Sequence, residues 1–381
     1  MTSTPAFEGL TPDERERYAR HLILPEVGQA GQMRLKQASV LCVGSGGLGS
    51  PLLLYLAAAG VGRIGIVDGD VVDRSNLQRQ VIHGSAWLNR SKAQSAASRM
   101  HDLNPHCAVE VHEEMLSLEN ALRLISAYDL VCDGTDNFPS RFLINDACVL
   151  LKKPLVYGSV QRFDGQASVF NRTSDSPNYR DLLPTPPPPG EVPSCAEAGV
   201  IGVMPGLIGL VQATETIKLI TGIGEPLDGR LLVVDGLRMR FRELTLHRDP
   251  HRPPIKSLVD YRGSCSQESD PMESISVNEL KALLDADAEA CVLVDVRNPA
   301  EAEVATIQGS HLVPLSTIES GDAIETVRTL AQGRTVYVHC KLGGRSARAV
   351  QALSEQGIVA VNVSGGIDAW AQQIDPEMPR Y

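Results

Sequence analysis

A glycine-rich turn between an apolar strand and an apolar helix places the strongest constraint on how this chain can fold. The turn, Gly44-Ser45-Gly46-Gly47-Leu48-Gly49, follows the apolar run 38–43 and precedes the mostly apolar segment 51–59. A second apolar run, 63–67, ends at the carboxylate of Asp68. Strand, glycine turn, helix and strand in this order predict a βαβ unit, and therefore an α/β fold with a mainly parallel sheet.

The same turn predicts a nucleotide-binding site. Glycines let the backbone approach a phosphate closely, and the following helix begins with N–H groups that point at an anion. Asp68 stands where Rossmann-like folds place a carboxylate that binds ribose. A nicotinamide-dependent dehydrogenase and a plain βα turn without a ligand are the alternatives that this pattern alone leaves open.

Length and composition indicate a globular protein of two domains. The chain has 381 residues, 43% of them hydrophobic, and a formal net charge of −11, which disfavours a general nucleic-acid-binding protein. Its eight cysteines include no Cys-x-x-Cys pair, and residues 1–20 lack the apolar core of a secretory signal. Glycines and a proline interrupt the most apolar stretch, near 199–210, so no membrane span is predicted. We expect a cytoplasmic protein.

The pattern of elements changes along the chain. Strand and helix patterns alternate to about residue 250, with a polar, proline-rich segment at 173–193 that predicts an irregular loop. Arg, Pro, Ser and Asp then dominate, which is typical of a linker. Shorter strand and helix patterns follow. We predict a nucleotide-binding domain over 1–250, a linker over 251–272 and a smaller α/β domain over 273–381.

The residues after the second strand point to a family. The run Asp68-Gly69-Asp70-Val71-Val72-Asp73-Arg74-Ser75-Asn76-Leu77-Gln78-Arg79-Gln80 resembles the ATP site of ubiquitin-activating-like adenylyltransferases, in the branch that activates the sulfur carriers of molybdopterin synthase and thiamin synthesis. Matches continue in order over nearly all of residues 10–250, which disfavours the dehydrogenase. They are Arg17-Tyr18-Ala19-Arg20, Lys92, Asp133-Gly134-Thr135-Asp136-Asn137 and Pro193-Ser194-Cys195-Ala196-Glu197-Ala198-Gly199-Val200.

This resemblance implies a chemistry and a set of site residues. The C-terminal carboxylate of a carrier protein attacks the α-phosphorus of ATP to give an acyl-adenylate and pyrophosphate, so catalysis depends on positioning and charge neutralisation. By similarity, Arg79 and Lys92 offset the charge of the triphosphate, and Asp136 holds Mg²⁺. Arg20 resembles an arginine that enters the neighbouring subunit's ATP site, which implies a homodimer. The other residues implied in ATP binding are Gly44, Gly46, Gly47, Gly49, Asp68, Ser75, Asn76, Leu77, Gln78 and Asn137.

Cys195 follows the proline-rich segment in a Ser-Cys-Ala context. Covalent roles have been assigned to a cysteine in this context in related enzymes. Cys195 is therefore a candidate catalytic residue that accepts the acyl group or closes a disulfide relay. The alternative is a small residue at a junction between loop and helix.

The chain departs from this branch at its usual zinc site. The branch holds a structural Zn²⁺ with two Cys-x-x-Cys pairs, and the corresponding segments here are Asn178-Tyr179-Arg180-Asp181 and His251-Arg252-Pro253-Pro254-Ile255. All four thiolates are missing, and a closed zinc site needs four ligands of the Cys or His type. We therefore expect no structural zinc.

The C-terminal domain resembles the rhodanese family over about residues 275–381. Its sharpest motif is Val338-His339-Cys340-Lys341-Leu342-Gly343-Gly344-Arg345-Ser346. The resemblance implies that the thiolate of Cys340 takes sulfur from a sulfane donor and carries it as a persulfide, and that loop N–H groups, a helix terminus and Arg345 stabilise the anion. A phosphatase-like Cys-x5-Arg loop is the rival interpretation, but the spacing here is one residue shorter.

Together the two resemblances predict a bifunctional enzyme. Its first domain would use ATP and Mg²⁺ to adenylate the C-terminal glycine of a small ubiquitin-like sulfur-carrier protein ending in Gly-Gly. Its second domain would transfer sulfur from Cys340 to make a thiocarboxylate. The alternative is a scaffold that binds ATP and a carrier but has lost turnover. The sulfur donor stays open, as does the pathway, among molybdopterin, thiamin, cysteine and thiocarboxylate natural products.

Overall fold

Two separate β-sheets organise the structure, a computed structural model that describes residues 9–187, 199–261, 273–287 and 291–380. The described residues form two compact units. The first unit contains residues 9–187 and 199–261, and the second contains residues 273–287 and 291–380.

The first unit is built on an eight-stranded sheet with the order β3-β2-β1-β4-β5-β6-β7-β8. Its strands are β1 (Ser39–Val43), β2 (Arg63–Val67), β3 (Ala108–His112), β4 (Leu130–Asp133), β5 (Leu155–Gln161), β6 (Asp164–Phe170), β7 (Arg230–Asp235) and β8 (Arg240–Thr245). The five strands from β3 to β5 in this order are parallel, and β6, β7 and β8 pair antiparallel. Every residue of β1 and β4 is buried, as expected for parallel strands covered on both faces. The predicted α/β fold with a mainly parallel sheet is confirmed.

Helices connect and cover these strands. They are α1 (Pro12–Arg17), α2 (Ala19–Leu22), α3 (Gly28–Gln37), α4 (Gly49–Ala59), α5 (Lys92–Leu103), α6 (Ala121–Ser126), α7 (Phe138–Leu151), α8 (Tyr179–Leu182) and α9 (Val203–Thr221). By length and composition alone, α9 could cross a membrane. It packs against α4, β5 and β6, however, so it serves as a core helix of this unit.

Two segments that the sequence predicts to be an irregular loop and a linker contain ordered structure. The expected loop at 173–193 contains the short helix α8, and its residues 188–193 lie outside the described part of the chain. Part of the expected linker lies against the first unit, since Tyr261 is buried and its hydroxyl donates to Asp146 on α7. Tyr261 also packs against the ring of Phe142, so the chain is anchored to this unit beyond residue 250.

The second unit is a five-stranded parallel sheet with the order β11-β10-β12-β13-β9. Its strands are β9 (Ser274–Ser276), β10 (Val292–Asp295), β11 (His311–Leu312), β12 (Val336–His339) and β13 (Ala360–Ser364). Its helices are α10 (Val277–Ala286), α11 (Pro299–Val304), α12 (Leu315–Glu319), α13 (Ile324–Ala331), α14 (Gly344–Glu355) and α15 (Gly366–Gln373). Cys340 directly follows the central strand β12, so the sheet fixes the position at which its loop begins.

Candidate functional site

A cavity opens beyond the carboxyl ends of β1, β2 and β4. In the sheet, β2 lies on one side of β1 and β4 on the other, so the strand order reverses at β1. Open α/β sheets bind ligands in the crevice at such a reversal. The empty space between its walls, open solvent at its mouth included, is about 890 Å³.

The glycine turn forms one wall of this cavity. Gly44, Gly46 and Gly47 line it, and Gly49 begins α4 beneath it. Gly44 has a φ of +92°, and a Cβ added there would lie 2.9 Å from the carbonyl oxygen of Gly134. A Cβ on Gly49 would lie 2.1 Å from the carbonyl oxygen of Gly44. The turn can therefore keep this path only with glycine at both positions.

Asp68 fastens the glycine turn to the end of β2. One carboxylate oxygen accepts hydrogen bonds from the N–H and the hydroxyl of Ser45, at 2.8 and 2.7 Å, and the other accepts one from the N–H of Asp70 at 3.0 Å. His83 supports the same turn, with Nε2 3.1 Å from the carbonyl oxygen of Ser45 and Nδ1 3.0 Å from the hydroxyl of Ser95. Burial lowers the pKa of His83, so the ring is neutral at pH 7 and its proton sits on Nε2, because a carbonyl oxygen can only accept.

Both cations of the predicted triphosphate site line the cavity. Lys92 is the first residue of α5, and its buried side chain places Nζ 2.9 Å from a carboxylate oxygen of Asp70. Arg79 donates from Nη1 to the carbonyl oxygen of Ser75 at 3.2 Å. Lys92 is thus held in a fixed position by a carboxylate that the sequence analysis gave no role.

The turn between β4 and α7 forms the opposite wall. Asp136 and Asn137 line the cavity and are exposed, so the carboxylate of Asp136 is available as a hard oxygen donor. Asn137 also caps α7, since its side-chain oxygen accepts the N–H of Ser140 at 2.9 Å. Arg141, one turn further on, is buried in the wall and donates to the carbonyl oxygen of Thr135 at 3.2 Å.

Six of the residues predicted to bind ATP do not line this cavity within the described chain: Arg20, Gly49, Ser75, Asn76, Leu77 and Gln78. Ser75 folds back so that its hydroxyl donates to Asp73 at 2.6 Å. Gln78 packs closely against Gly202, at the start of α9. Arg20 is exposed on α2. Their contacts with ATP stay predictions, and Cys195 lies outside the described residues.

An ion pair joins the two segments that stand in place of the zinc-binding pairs. Arg252 donates to the buried carboxylate of Asp181 and, at 3.3 Å, to the side-chain oxygen of Asn178. Asp181 also accepts the N–H groups of Asn178 at 2.8 Å and Asp249 at 2.7 Å. In the described part of the chain, no group of three or more His, Cys, Asp and Glu side chains could hold a metal ion. The absence of structural zinc remains a prediction.

In the second unit, the loop after β12 wraps the sulfur of Cys340. The side chain of Cys340 is fully buried, and its Sγ accepts the N–H of Gly343 at 3.1 Å. The hydroxyl of Ser346 lies 3.4 Å from Sγ and 3.0 Å from the carbonyl oxygen of Gly343. Gly343 has a φ of +108°, which favours glycine and turns the chain into α14. Donors of this kind stabilise a sulfur anion.

Arg345, the predicted stabiliser of that anion, is paired with a carboxylate. Its Nη1 and Nη2 donate to the two carboxylate oxygens of Glu301, at 2.7 and 2.8 Å. Glu301 lies on α11, whose last turn is tied down by Arg297 through the carbonyl oxygen of Ala305 at 2.8 Å. Arg297 is itself fully buried against Asp295.

Comparison with known families gives a separate match for each of the two units. The sequence over residues 18–254 matches the family model described as the ThiF family. The chain belongs to the ThiF family. Residues 276–373 match the model of the rhodanese-like domain, so this ThiF-family chain carries the second domain that its Cys340 loop indicates.

Relatives of this ThiF-family chain share both halves. The protein named probable adenylyltransferase/sulfurtransferase MoeZ, of Mycobacterium tuberculosis strain H37Rv, is 52% identical over 384 residues, which cover 98% of this chain and 96% of the relative. The adenylyltransferase and sulfurtransferase MOCS3 of Mus musculus is 42% identical over 411 residues, covering 98% and 88%. The similarity therefore spans both units.

Solved structures support the fold of the first unit. A crystal structure of Escherichia coli MccB with ATP matches with a TM-score of 0.53 and 18% identity, over 62% of this chain and 73% of that one. A structure of PaaA matches with a TM-score of 0.54 and 21% identity, over 65% and 78%. At these identities the likeness establishes the architecture only.

Four residues that support the ThiF-family cavity and the sulfur loop carry no predicted role: Asp70, His83, Arg141 and Glu301. Asp70 lies within the quoted run that follows β2. Arg141 lies on α7, four residues after the quoted run 133–137. Both line the cavity. Glu301 is the third helical residue after the cap Asn298, a capping pattern visible in the sequence. Its pairing with Arg345, 44 residues away, has no local signal.

Proposed function

We propose that this chain is a bifunctional adenylyltransferase and sulfurtransferase that converts the C-terminal glycine of a small ubiquitin-like carrier protein, ending in Gly-Gly, into a thiocarboxylate. The observation that carries this proposal is the presence in one chain of two sites with complementary chemistry. One is a cavity lined by a phosphate-type glycine turn and two cations, and the other is a thiol in contact with N–H and O–H donors.

The cavity of the first unit fits adenylylation of a carboxylate. The carrier carboxylate attacks the α-phosphorus of ATP, and pyrophosphate leaves as the carrier acyl-adenylate forms. Lys92 and Arg79 would offset the negative charge of the triphosphate, and the glycine turn at the start of α4 would bind phosphate oxygens through N–H groups. Asp136 would hold Mg²⁺, which would add positive charge at the phosphates. Asp70 keeps the ammonium of Lys92 in place.

The loop of the second unit fits sulfur transfer. The Cys340 thiolate takes the outer sulfur of a sulfane donor R–S–SH, and RS⁻ leaves. The outer sulfur of the Cys340 persulfide then attacks the acyl carbon of the adenylate, and AMP leaves. A thiolate R′S⁻ attacks the Cys340 sulfur of the resulting acyl disulfide, which releases the thiocarboxylate and leaves Cys340–S–S–R′. Cys195 is our candidate for R′S⁻, and an external thiol would then reduce that disulfide.

Two matched variants test this division of labour. Lys92→Ala should lower carrier-dependent exchange of pyrophosphate into ATP by about a hundredfold or more, because it removes a fixed cation, while Cys340 still gains one sulfur by intact-protein mass spectrometry. Cys340→Ser should retain the exchange and form no thiocarboxylate without added sulfide. Thiocarboxylate formed by Cys340→Ser at the wild-type rate would contradict the proposal.

Pyrophosphate exchange measured with a panel of carrier proteins distinguishes this enzyme from a scaffold that only binds ATP and a carrier. Exchange should appear with one member of a panel of Gly-Gly-ending carriers and disappear when that carrier lacks its last glycine. ATP binding without exchange on every carrier of the panel would favour the scaffold.

A further inference from the structure

The guanidinium of Arg345, at the end of the sulfur loop, forms an ion pair with a carboxylate. Glu301 binds it through two hydrogen bonds of 2.7 and 2.8 Å, and the two side chains are only 11% and 13% exposed. Paired, fork-shaped contacts of this kind are short, directional and stronger than single ones. Because water is largely excluded, dissolved salt screens this pair poorly. The positive charge of Arg345 is therefore cancelled locally.

Further hydrogen bonds hold both the carboxylate of Glu301 and its helix in place. The carboxylate also accepts the N–H of Asn298 at 3.0 Å, which fixes it to the first turn of α11. Arg297 donates to the carbonyl oxygens of Glu301 at 3.2 Å and Ala305 at 2.8 Å, and it is anchored by the buried carboxylate of Asp295. These hydrogen bonds restrain the helix, so the carboxylate of Glu301 remains beside Arg345.

Two neutral donor groups lie within hydrogen-bond distance of the sulfur. The N–H of Gly343 lies 3.1 Å from the Sγ of Cys340, and the hydroxyl of Ser346 lies 3.4 Å from it. Ser346 directly follows Arg345 on the first turn of α14, so the Sγ contact and the charge pair share one helical turn. A donor that binds beside this turn would meet an arginine whose charge the carboxylate of Glu301 already offsets.

We infer that Glu301 determines the donor specificity of Cys340, selecting a thiol persulfide with at most one negative charge over the thiosulfate dianion. The inference rests on the proposed sulfurtransferase activity. With a persulfide, one S–S bond forms at Cys340 as another breaks, and RS⁻ takes the electron pair. With thiosulfate the same exchange releases sulfite, but the two negative charges of this donor gain no net attraction from Arg345 while Glu301 offsets the arginine's charge.

Single-turnover loading of Cys340 tests this assignment in the full-length protein. The gain of one sulfur atom is followed by intact-protein mass spectrometry with two donors, thiosulfate and cysteine persulfide. Glu301→Gln should raise the second-order rate constant for thiosulfate about tenfold and change that for cysteine persulfide less than about threefold. Glu301→Asp, which keeps the charge, should retain the wild-type ratio of the two rate constants. An unchanged ratio in Glu301→Gln would overturn the inference.

Glu303→Gln is the matched control, because Glu303 lies on the same helix and is exposed. It removes one negative charge from the helix that carries Glu301 and should leave the ratio unchanged. A rise in this control equal to that of Glu301→Gln would mean that net charge alone sets the preference, and the inference would fail. Loading of the wild-type protein by neither donor would instead contradict the proposed sulfur transfer itself.

The wild-type protein provides an independent measurement should Glu301→Gln fold poorly. If Glu301 cancels Arg345, thiosulfate loading should stay level or rise between about 50 and 300 mM salt, since no net attraction is screened. A steep fall over this range would reveal an uncompensated cation at the loop and overturn the inference.

Discussion

His339, which directly precedes Cys340, is fully buried. Burial lowers the pKa of His339 to about 4, although the Asp295 carboxylate opposes this effect from 4.0 Å away. The imidazole is therefore neutral at pH 7, and it serves the core of the second unit rather than acting as a charged partner of Cys340. A buried group that resists protonation makes the stability of the fold depend on pH.

The sign of that dependence follows from the direction of the shift. An unfolded chain protonates His339 near its ordinary pKa of 6.5, whereas the folded chain does so near 4. Stability is therefore complete above pH 6.5 and falls as the pH drops toward 4. Between pH 7 and pH 5 we expect a loss of about 2 kcal/mol from this residue. Denaturant unfolding of wild-type protein and His339→Gln at the two pH values measures it.

His311→Gln is the control for this prediction, because His311 lies in the same unit and is exposed. It should show the same loss between pH 7 and pH 5 as the wild-type protein. A loss of equal size in His339→Gln would show that other groups cause the pH dependence.

Among the elements, the contact between α8 and the chain after β8 is held by charge. The side chain of Asp181 on α8 is completely buried and accepts hydrogen bonds from two backbone N–H groups and from Arg252. The contact joins two segments 71 residues apart. These are the segments that the resemblance noted in the sequence aligns with zinc-binding pairs, and an ion pair joins them in this structure.

Removing the arginine should loosen the first unit. Arg252→Ala leaves the carboxylate of Asp181 buried without its cation, so we expect a loss of about 2–3 kcal/mol in the free energy of unfolding. Arg248→Ala is the matched control. Its side chain is half exposed, lies 3.7 Å from the exposed carboxylate of Asp175 and donates to the carbonyl oxygen of Ser174 at 2.6 Å, so its loss should be below about 1 kcal/mol. Equal stability of Arg252→Ala and wild-type protein, measured by denaturant unfolding, would contradict this role.

For the molecule as a whole, the predicted homodimer gives Arg20 its role. This residue is exposed on α2 and does not line the described cavity of its own chain. If it completes the ATP site of a second subunit, each active site needs Lys92 from one chain and Arg20 from the other. Two inactive variants should then rescue one another, since a closed dimer exchanges equivalent residues across its axis.

Mixing Arg20→Ala and Lys92→Ala in equal amounts tests this arrangement. Half of the dimers would be mixed, and one of the two sites in each would be intact, so carrier-dependent exchange should recover to about a quarter of the wild-type rate. Each variant alone, taken through the same unfolding and refolding to allow subunit exchange, is the control. No recovery in mixtures that contain mixed dimers would show that Arg20 acts within its own chain or has no part in the site.

The sequence could predict features whose cause is local. The apolar runs of β1, β2 and β4 alternate with helical patterns, so the parallel part of the sheet and its glycine turn followed from them. By contrast, β6 begins with Asp164 and Gly165, residues that disfavour strands. It is a strand because it pairs antiparallel with β5 and β7. No local preference indicates those partners.

The chain's sequence by itself determined the two α/β units, the glycine turn, the cations of the cavity and the position of the Cys340 thiol after a strand. Only the tertiary structure decided which side chains act together. Examples are His83 with Ser45, Glu301 with Arg345 and Asp181 with Arg252. The reason is physical: helix, strand and turn preferences arise from neighbours along the chain, whereas a charge pair forms where packing brings distant segments together and excludes water between them.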